Sequence, residues 1–206
     1  MSDSDQSAFD FIEPLDPRRP KRPEYVFTCI GDGGAGPEIA QCREWIKRDN
    51  GIFAKGIPIK RFHISLCGIG NYIRIPSYVS FAVTRAAERI DLPSFEVVLY
   101  RAVTFPGFRP DRRPTVLLAE SKELRELGNM LFGRLRQEGL KVGELVTPHM
   151  TLFYSARAIR PVDIEPIRFR ADRFHLIHSE RGLTKYNVLG SWPNNDPSSE
   201  GPVSPH

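Results

Sequence analysis

Two strings of this chain carry the same alternation, and their histidines, His63 and His149, stand 86 residues apart. The first reads Arg61-Phe62-His63-Ile64-Ser65-Leu66 and the second Thr147-Pro148-His149-Met150-Thr151-Leu152. On a strand, residues i and i+2 project from one face. Each string therefore presents an imidazole with a hydroxyl: His63 with Ser65, and His149 with Thr151. Ile64, Leu66, Met150 and Leu152 turn to the opposite, packed side. The strings belong to a longer repeat. Strands near Tyr25 and Thr115 are 90 residues apart, and helices opening near Pro37 and Ser121 are 84 apart. A strand–helix–strand unit used twice predicts two similar lobes facing one another, with the chemistry between them.

The rest of the pattern fills in an α+β chain. Tyr25–Ile30 reads as a strand, and Pro37, at the favoured first position, opens a helix to about Arg48. Arg61–Ile69 reads as a strand and Pro76–Ile90 as a second helix. Phe95–Phe105 and Pro114–Glu120 are strands separated by the Arg-rich loop Pro106–Arg113. Leu124, Leu127, Leu131 and Leu135 have helical spacing up to Gly139, with Ser121 as N-cap. His149–Ser155, Ile164–Ser179 and Tyr186–Trp192 complete the strands, the middle one long enough to admit an interruption. Polar, Pro-rich ends at 1–23 and 193–206 read as disordered tails around one bilobal domain at 24–192.

Composition narrows the partners. The chain has 206 residues with 40% hydrophobic side chains, and no apolar run approaches the ~18 residues of a membrane span. Met1–Asp10 is acidic and polar rather than a secretion signal, and Cys29, Cys42 and Cys67 are an odd set without metal-ligand spacing. These features predict reduced thiols in the cytoplasm. The net charge of +4 hides a basic middle: residues 23–192 carry 25 basic and 18 acidic side chains, a net of +7. Of the chain's 29 basic residues 22 are Arg, whose planar fork suits phosphate. A GC-rich genome also favours Arg, so this charge alone does not identify a partner.

The paired strings supply chemistry for one. Opening a phosphodiester by in-line displacement needs a base on one side and an acid on the other. Two histidines with ordinary pKa near 6.5 provide both forms at neutral pH without a metal. The hydroxyls can donate to non-bridging phosphate oxygens.

On these motifs the chain resembles the two-histidine phosphoesterases, in the branch of 2'-5' RNA ligases and RNA 2',3'-cyclic phosphodiesterases. That family's signature is a pair of H-x-[Ser/Thr]-hydrophobic motifs, matched by His63–Leu66 and His149–Leu152. The resemblance runs from about Tyr25 to Trp192 and includes Pro148 and the closing segment Phe174–Ser179, Gly182 and Tyr186–Pro193. It implies a bilobal, pseudo-twofold α+β fold, with two antiparallel sheets flanked by helices around a central cleft. It also implies metal-free, cofactor-free hydrolysis of a 2',3'-cyclic phosphate to a 2'-phosphate, with reversible 2'-5' joining of RNA ends. By motif position His63 would protonate the leaving 3' oxygen, His149 would activate water, and Ser65 and Thr151 would hold phosphate. RNA ends or cyclic nucleotides are then the substrates of a soluble monomer that touches neither membrane nor metal. One position departs. Where the best-known RNA-processing members place an Arg five residues after the second histidine, this chain has Tyr154. Arg157, or one of Arg109, Arg112 and Arg113, is the expected substitute, or the substrate is a smaller cyclic phosphate.

Weaker signals compete. Gly31, Gly33 and Gly36 spell G-x-G-x-x-G between a strand and a helix, but the next strand carries His63 rather than a ribose-binding carboxylate. A nucleotide-binding module of the same fold, lacking catalysis, is the main rival; a dinucleotide-binding domain is the second. His175 and His178, three apart on a strand, face opposite sides and read as structural. Tyr154, Tyr72 and Phe108 could stack on a base or simply pack. Cys67 reads as a small apolar residue.

Overall fold

The strands pair with close neighbours in antiparallel fashion, and the exceptions are what shape the molecule. The computed structural model describes residues 24–72, 74–107, 109–143, 145–180 and 185–194. The expected N-terminal tail, residues 195–206, Phe108 and Gly182 lie outside them. In chain order come β1 (Glu24–Ile30), α1 (Gly36–Asp49), a 3₁₀ turn (Ile59–Arg61), β2 (Ile64–Tyr72) and α2 (Ser77–Ala87). Then follow β3 (Phe95–Thr104), β4 (Arg113–Glu120), α3 (Lys122–Gln137), β5 (His149–Ser155), β6 (Val162–Ala171), β7 (Arg173–Glu180) and β8 (Lys185–Pro193).

The strand order is β6-β3-β4-β5-β2-β1-β7-β8, antiparallel throughout. Its middle junction differs from the rest. β2 and β5 share a single partnered position, Ile64 with Met150, whereas the flanking ladders run along most of each strand. The sheet is thus two four-stranded antiparallel halves meeting at one seam. The repeated unit is β1–α1–β2 in one half and β4–α3–β5 in the other.

Local chemistry sets three boundaries that the sequence pattern places differently. Pro58 leads into the 3₁₀ turn, so β2 starts at Ile64 and His63 lies immediately before it. The long segment 164–179 breaks at Asp172: β6 pairs with β3 in one half, and β7 pairs with β1 in the other. Asn194 clamps that crossing. Its backbone N–H donates to the Asp172 carbonyl at 2.7 Å and its side-chain amide to the Ala171 carbonyl at 3.0 Å. The folded part therefore extends two residues past 192.

The glycine-rich segment is a tight turn. Gly33 and Gly34 have φ of +56° and +90°, and a Cβ on Gly33 would meet the Arg170 carbonyl at 2.6 Å, a place only glycine fills without strain. The strands on either side, β1 and β2, run antiparallel, which removes the dinucleotide-binding reading because that motif needs parallel strands.

The helices cover the face to which Ile64, Leu66, Met150 and Leu152 point, all of them in one apolar core with Leu124, Leu127, Leu131 and Leu135 of α3. Ser121 caps α3 by accepting the Leu124 N–H at 3.3 Å. Cys67 belongs to this core; burial pushes its thiol up to about 11 and that of Cys29 to about 12. No helix among the described residues is long and apolar enough to cross a membrane. Leu131 is fully buried at the centre of α3. Leu131→Ala is expected to lower unfolding free energy by about 2–5 kcal/mol, measured by urea denaturation; a change below about 1 kcal/mol would mean that α3 is not packed as described.

Candidate active site

The register at the seam builds the site. Antiparallel partners step in opposite directions along the two chains. With Ile64 opposite Met150, His63 aligns with Thr151, and Ser65 aligns with His149. Each imidazole thus lies across the seam from the other string's hydroxyl. Ile64 and Met150 are fully buried below, while His63, Ser65, His149 and Thr151 are half-buried on the opposite face. The four polar groups form a small quadrilateral around the pseudo-twofold axis.

The two rings are held in the same way. His63 Nδ1 bonds the Arg61 carbonyl at 2.8 Å, and His149 Nδ1 bonds the Thr147 carbonyl at 2.7 Å. A carbonyl only accepts, so in each ring Nδ1 carries the hydrogen and Nε2 is left for chemistry. Aromatic walls support both. Phe27 packs on His63 at 5.1 Å between centroids and Tyr186 meets it edge-on at 5.5 Å; Phe105 meets His149 edge-on at 5.0 Å.

Burial is the main influence on both imidazoles and lowers them below the ordinary histidine range, because a charged ring is poorly solvated there. The carbonyl bonds act the other way. His63 is further disfavoured as a cation by the charge of Arg61 and by His149.

The other expected substrate-binding residues divide. Tyr154 is exposed on the outer part of β5, with the Arg112 guanidinium 4.9 Å from its ring centroid. An irregularity opposite Thr115 and Val116 changes the phase of β5. Leu152 and Phe153 are consequently both buried, and Tyr154 emerges on the accessible face. Arg109 is engaged by Asp111 through two bonds, Nε to Oδ1 at 3.1 Å and Nη2 to Oδ2 at 2.7 Å. Arg157 carries its guanidinium to Gly51, just beyond α1, 3.5 Å from where a Cβ there would stand. Of the five, Ser65 and Thr151 join the histidines at the seam. Tyr154 borders the site through its electrostatic contact with Tyr186.

Four neighbours were not singled out by the sequence pattern: Phe27, Phe105, Tyr186 and Arg61. Arg61 was legible, since it sits two residues before His63 in the same alternation. Tyr186 was not, because it comes from a hairpin more than a hundred residues away that pairs with β1 only in the fold. Beside Phe105 an open cavity of about 360 Å³ is lined by Thr104, Phe105, Gly107, Pro110, Arg113 and Ala158. His175 and His178 are half-buried on β7, and no group of three His, Cys, Asp or Glu among the described residues is placed to hold a metal ion.

Two antiparallel half-sheets, with a histidine and a hydroxyl on each side of their seam, define a two-histidine phosphoesterase architecture. A sequence model of the 2'-5' RNA ligase superfamily matches residues 37–183, and the chain belongs to that superfamily. Among solved structures, Escherichia coli LigT complexed with ATP is 22% identical, with a TM-score of 0.60 over 85% of this chain and 100% of LigT. A structure described as a phosphoesterase is also 22% identical, with a TM-score of 0.66 over 84% of this chain and 100% of its own. TT0787 of Thermus thermophilus is 17% identical, with a TM-score of 0.68 over 84% of this chain and 99% of its own. No curated protein matched the sequence.

The lowered histidines have a thermodynamic consequence. A ring that resists protonation when folded binds fewer protons than the unfolded chain, whose histidines titrate near 6.5. Their burial carries no protonation penalty well above about pH 6.5, and stability is lost as pH falls from there toward the folded-state values. NMR titration of His63 and His149 is expected to give midpoints below about 6.5 for both; a midpoint at or above that value for either would contradict the burial described.

Proposed function

We propose that this chain hydrolyses 2',3'-cyclic phosphates, on RNA ends or nucleotides, to 2'-phosphomonoesters, with His63 and His149 as the acid–base pair. The observation that carries this reading is the Ile64–Met150 register, which gathers two imidazoles and two hydroxyls on one face. One Nε2 takes a proton from water as its oxygen attacks phosphorus. The bond from phosphorus to the 3' oxygen breaks in line, and the other Nε2 gives that oxygen its proton. The pair ends with its proton transferred from one ring to the other, so turnover requires only exchange with solvent. With a 5'-hydroxyl of another RNA attacking in place of water, the same displacement joins ends through a 2'-5' linkage, and its reverse cleaves that linkage back to the cyclic phosphate and a 5'-hydroxyl.

Ser65 and Thr151, each across the seam from a histidine, are the donors for the non-bridging oxygens, which gain charge as the bond to water forms. A phosphate seated between the rings favours their protonated forms and so returns to the pair the single proton that catalysis needs. The cavity beside Phe105, with Arg113 on its wall, leaves room for the nucleotide attached to the phosphate. The same fold in Escherichia coli LigT has been crystallised with phosphate and with 3'-AMP, which supports a phosphate and nucleoside site here.

Three results are expected with adenosine 2',3'-cyclic phosphate as substrate. His63→Ala and His149→Ala each lower kcat/KM by about 10²–10⁴-fold. The pH profile of kcat/KM, which reports the free protein, is bell-shaped with its maximum below about 6.5, because both histidines lie below that ordinary value. EDTA leaves the rate unchanged. Full activity in either alanine variant would overturn the mechanism. Binding of the 2'-monophosphate without any turnover would favour the non-catalytic module.

A further inference from the structure

We propose that Arg61 is the anion grip of this cleft, bringing the charge of its guanidinium to a non-bridging oxygen of the substrate phosphate. The inference rests on the phosphoesterase reading and adds a residue that neither the paired motifs nor the family match assigns. It is carried by how Arg61 is held. Its guanidinium carbon lies 4.1 Å from the centroid of Tyr186, so the ring serves as a plate beneath the planar cation. Tyr186 in turn meets His63 edge-on. The cation, the plate and the imidazole form one packed unit, and the Arg61 carbonyl is also the acceptor that orients His63.

The charge itself is uncompensated. Among the described residues no carboxylate forms an ion pair with Arg61, although several other arginines have one: Arg43 with Glu44, Arg85 and Arg89 with Glu138, Arg109 with Asp111, Arg168 with Glu96. Arg61 Nε is buried and has no hydrogen-bond partner. A buried donor on a charged group, left unmade, costs more than an ordinary hydrogen bond returns. Nε is closed off by the surrounding protein, so the Nη end of the guanidinium is what remains to meet an anion, which would offset a charge otherwise kept next to an imidazole that it disfavours. The two Nη groups at the end of a guanidinium form a pair of donors matched to two phosphate oxygens.

The pseudo-twofold relation sharpens the assignment. Arg61 stands two residues before His63, and the corresponding residue before His149 is the uncharged Thr147. Arg109 is bound to Asp111, Arg157 is placed at Gly51, and Arg112 lies over Tyr154. Arg113 lies on the cavity wall beside Phe105, on the His149 side, whereas Arg61 is the arginine whose charge acts on the His63 ring. The charge that holds the phosphate therefore enters from the His63 side of the seam. Tyr186 is a positioning residue, acting through the guanidinium it supports.

The test is titration of the full chain with inorganic phosphate, followed by calorimetry and by the ³¹P resonance, for wild type, Arg61→Met and Arg61→Gln. Both variants keep most of the side chain's length over Tyr186 and leave the backbone carbonyl to His63 intact. Removal of a charge-assisted, two-donor contact is expected to weaken phosphate binding about 10–100-fold. KM for adenosine 2',3'-cyclic phosphate should rise in parallel, and the His63 midpoint, followed by NMR, should move upward as the imidazole loses its cationic neighbour. A folded Arg61→Met or Arg61→Gln that binds phosphate as tightly as wild type overturns the proposal while leaving the two-histidine mechanism standing. Wild-type protein that binds phosphate through Arg61 yet turns over no cyclic phosphate overturns the mechanism and leaves the grip. Wild-type protein that binds no phosphate overturns the grip.

Discussion

One backbone pairing, Ile64 against Met150, decides what the rest of this molecule can do. A shift of the seam by one residue would turn both histidines and both hydroxyls into the apolar core, since strand side chains alternate faces. A shift by two would keep the faces but slide each imidazole away from the opposing hydroxyl. The register is held by burial rather than by a long ladder. Ile64, Leu66, Met150 and Leu152 sink into the core shared with α3, which fixes the face each string turns to the helices. The cleft above exists because the two half-sheets diverge on either side of that pairing.

Desolvation does the electrostatic work. Burial among aromatic rings disfavours the charged form of both imidazoles. The carbonyls two residues upstream fix which nitrogen is free. Both effects come from local geometry repeated in each half. The asymmetry is in charge: Arg61 over Tyr186 on one side, Thr147 and Phe105 on the other. On the proposed reading, a symmetric frame that carries an asymmetric charge would orient one phosphate, as an acid–base pair with distinct roles requires.

Much of this was legible in the chain. The alternation around His63 and His149 is a local, two-residue period, so it survives in the sequence without knowledge of the partner strands. Ser121 and the leucines of α3 were legible for the same reason. What the sequence pattern does not carry is pairing at long range and small phase changes. Tyr186 reaches His63 only because the β7–β8 hairpin docks on β1. Tyr154 comes to the surface because β5 slips against β4. Asp172 marks a crossing between half-sheets, clamped by Asn194, that an unbroken run of strand-forming residues conceals. His63 itself falls just outside its strand because Pro58 starts a turn ahead of it.

The central claim is that His63 and His149 address the same phosphate from opposite sides of the seam. The most direct measurement is a crystal structure of the protein soaked with adenosine 2'-monophosphate, the product of the proposed reaction. The account predicts the phosphate between the two rings, with Nε2 of each within about 3 Å of an oxygen. A phosphate bound elsewhere, with the imidazoles facing each other across solvent, would contradict it.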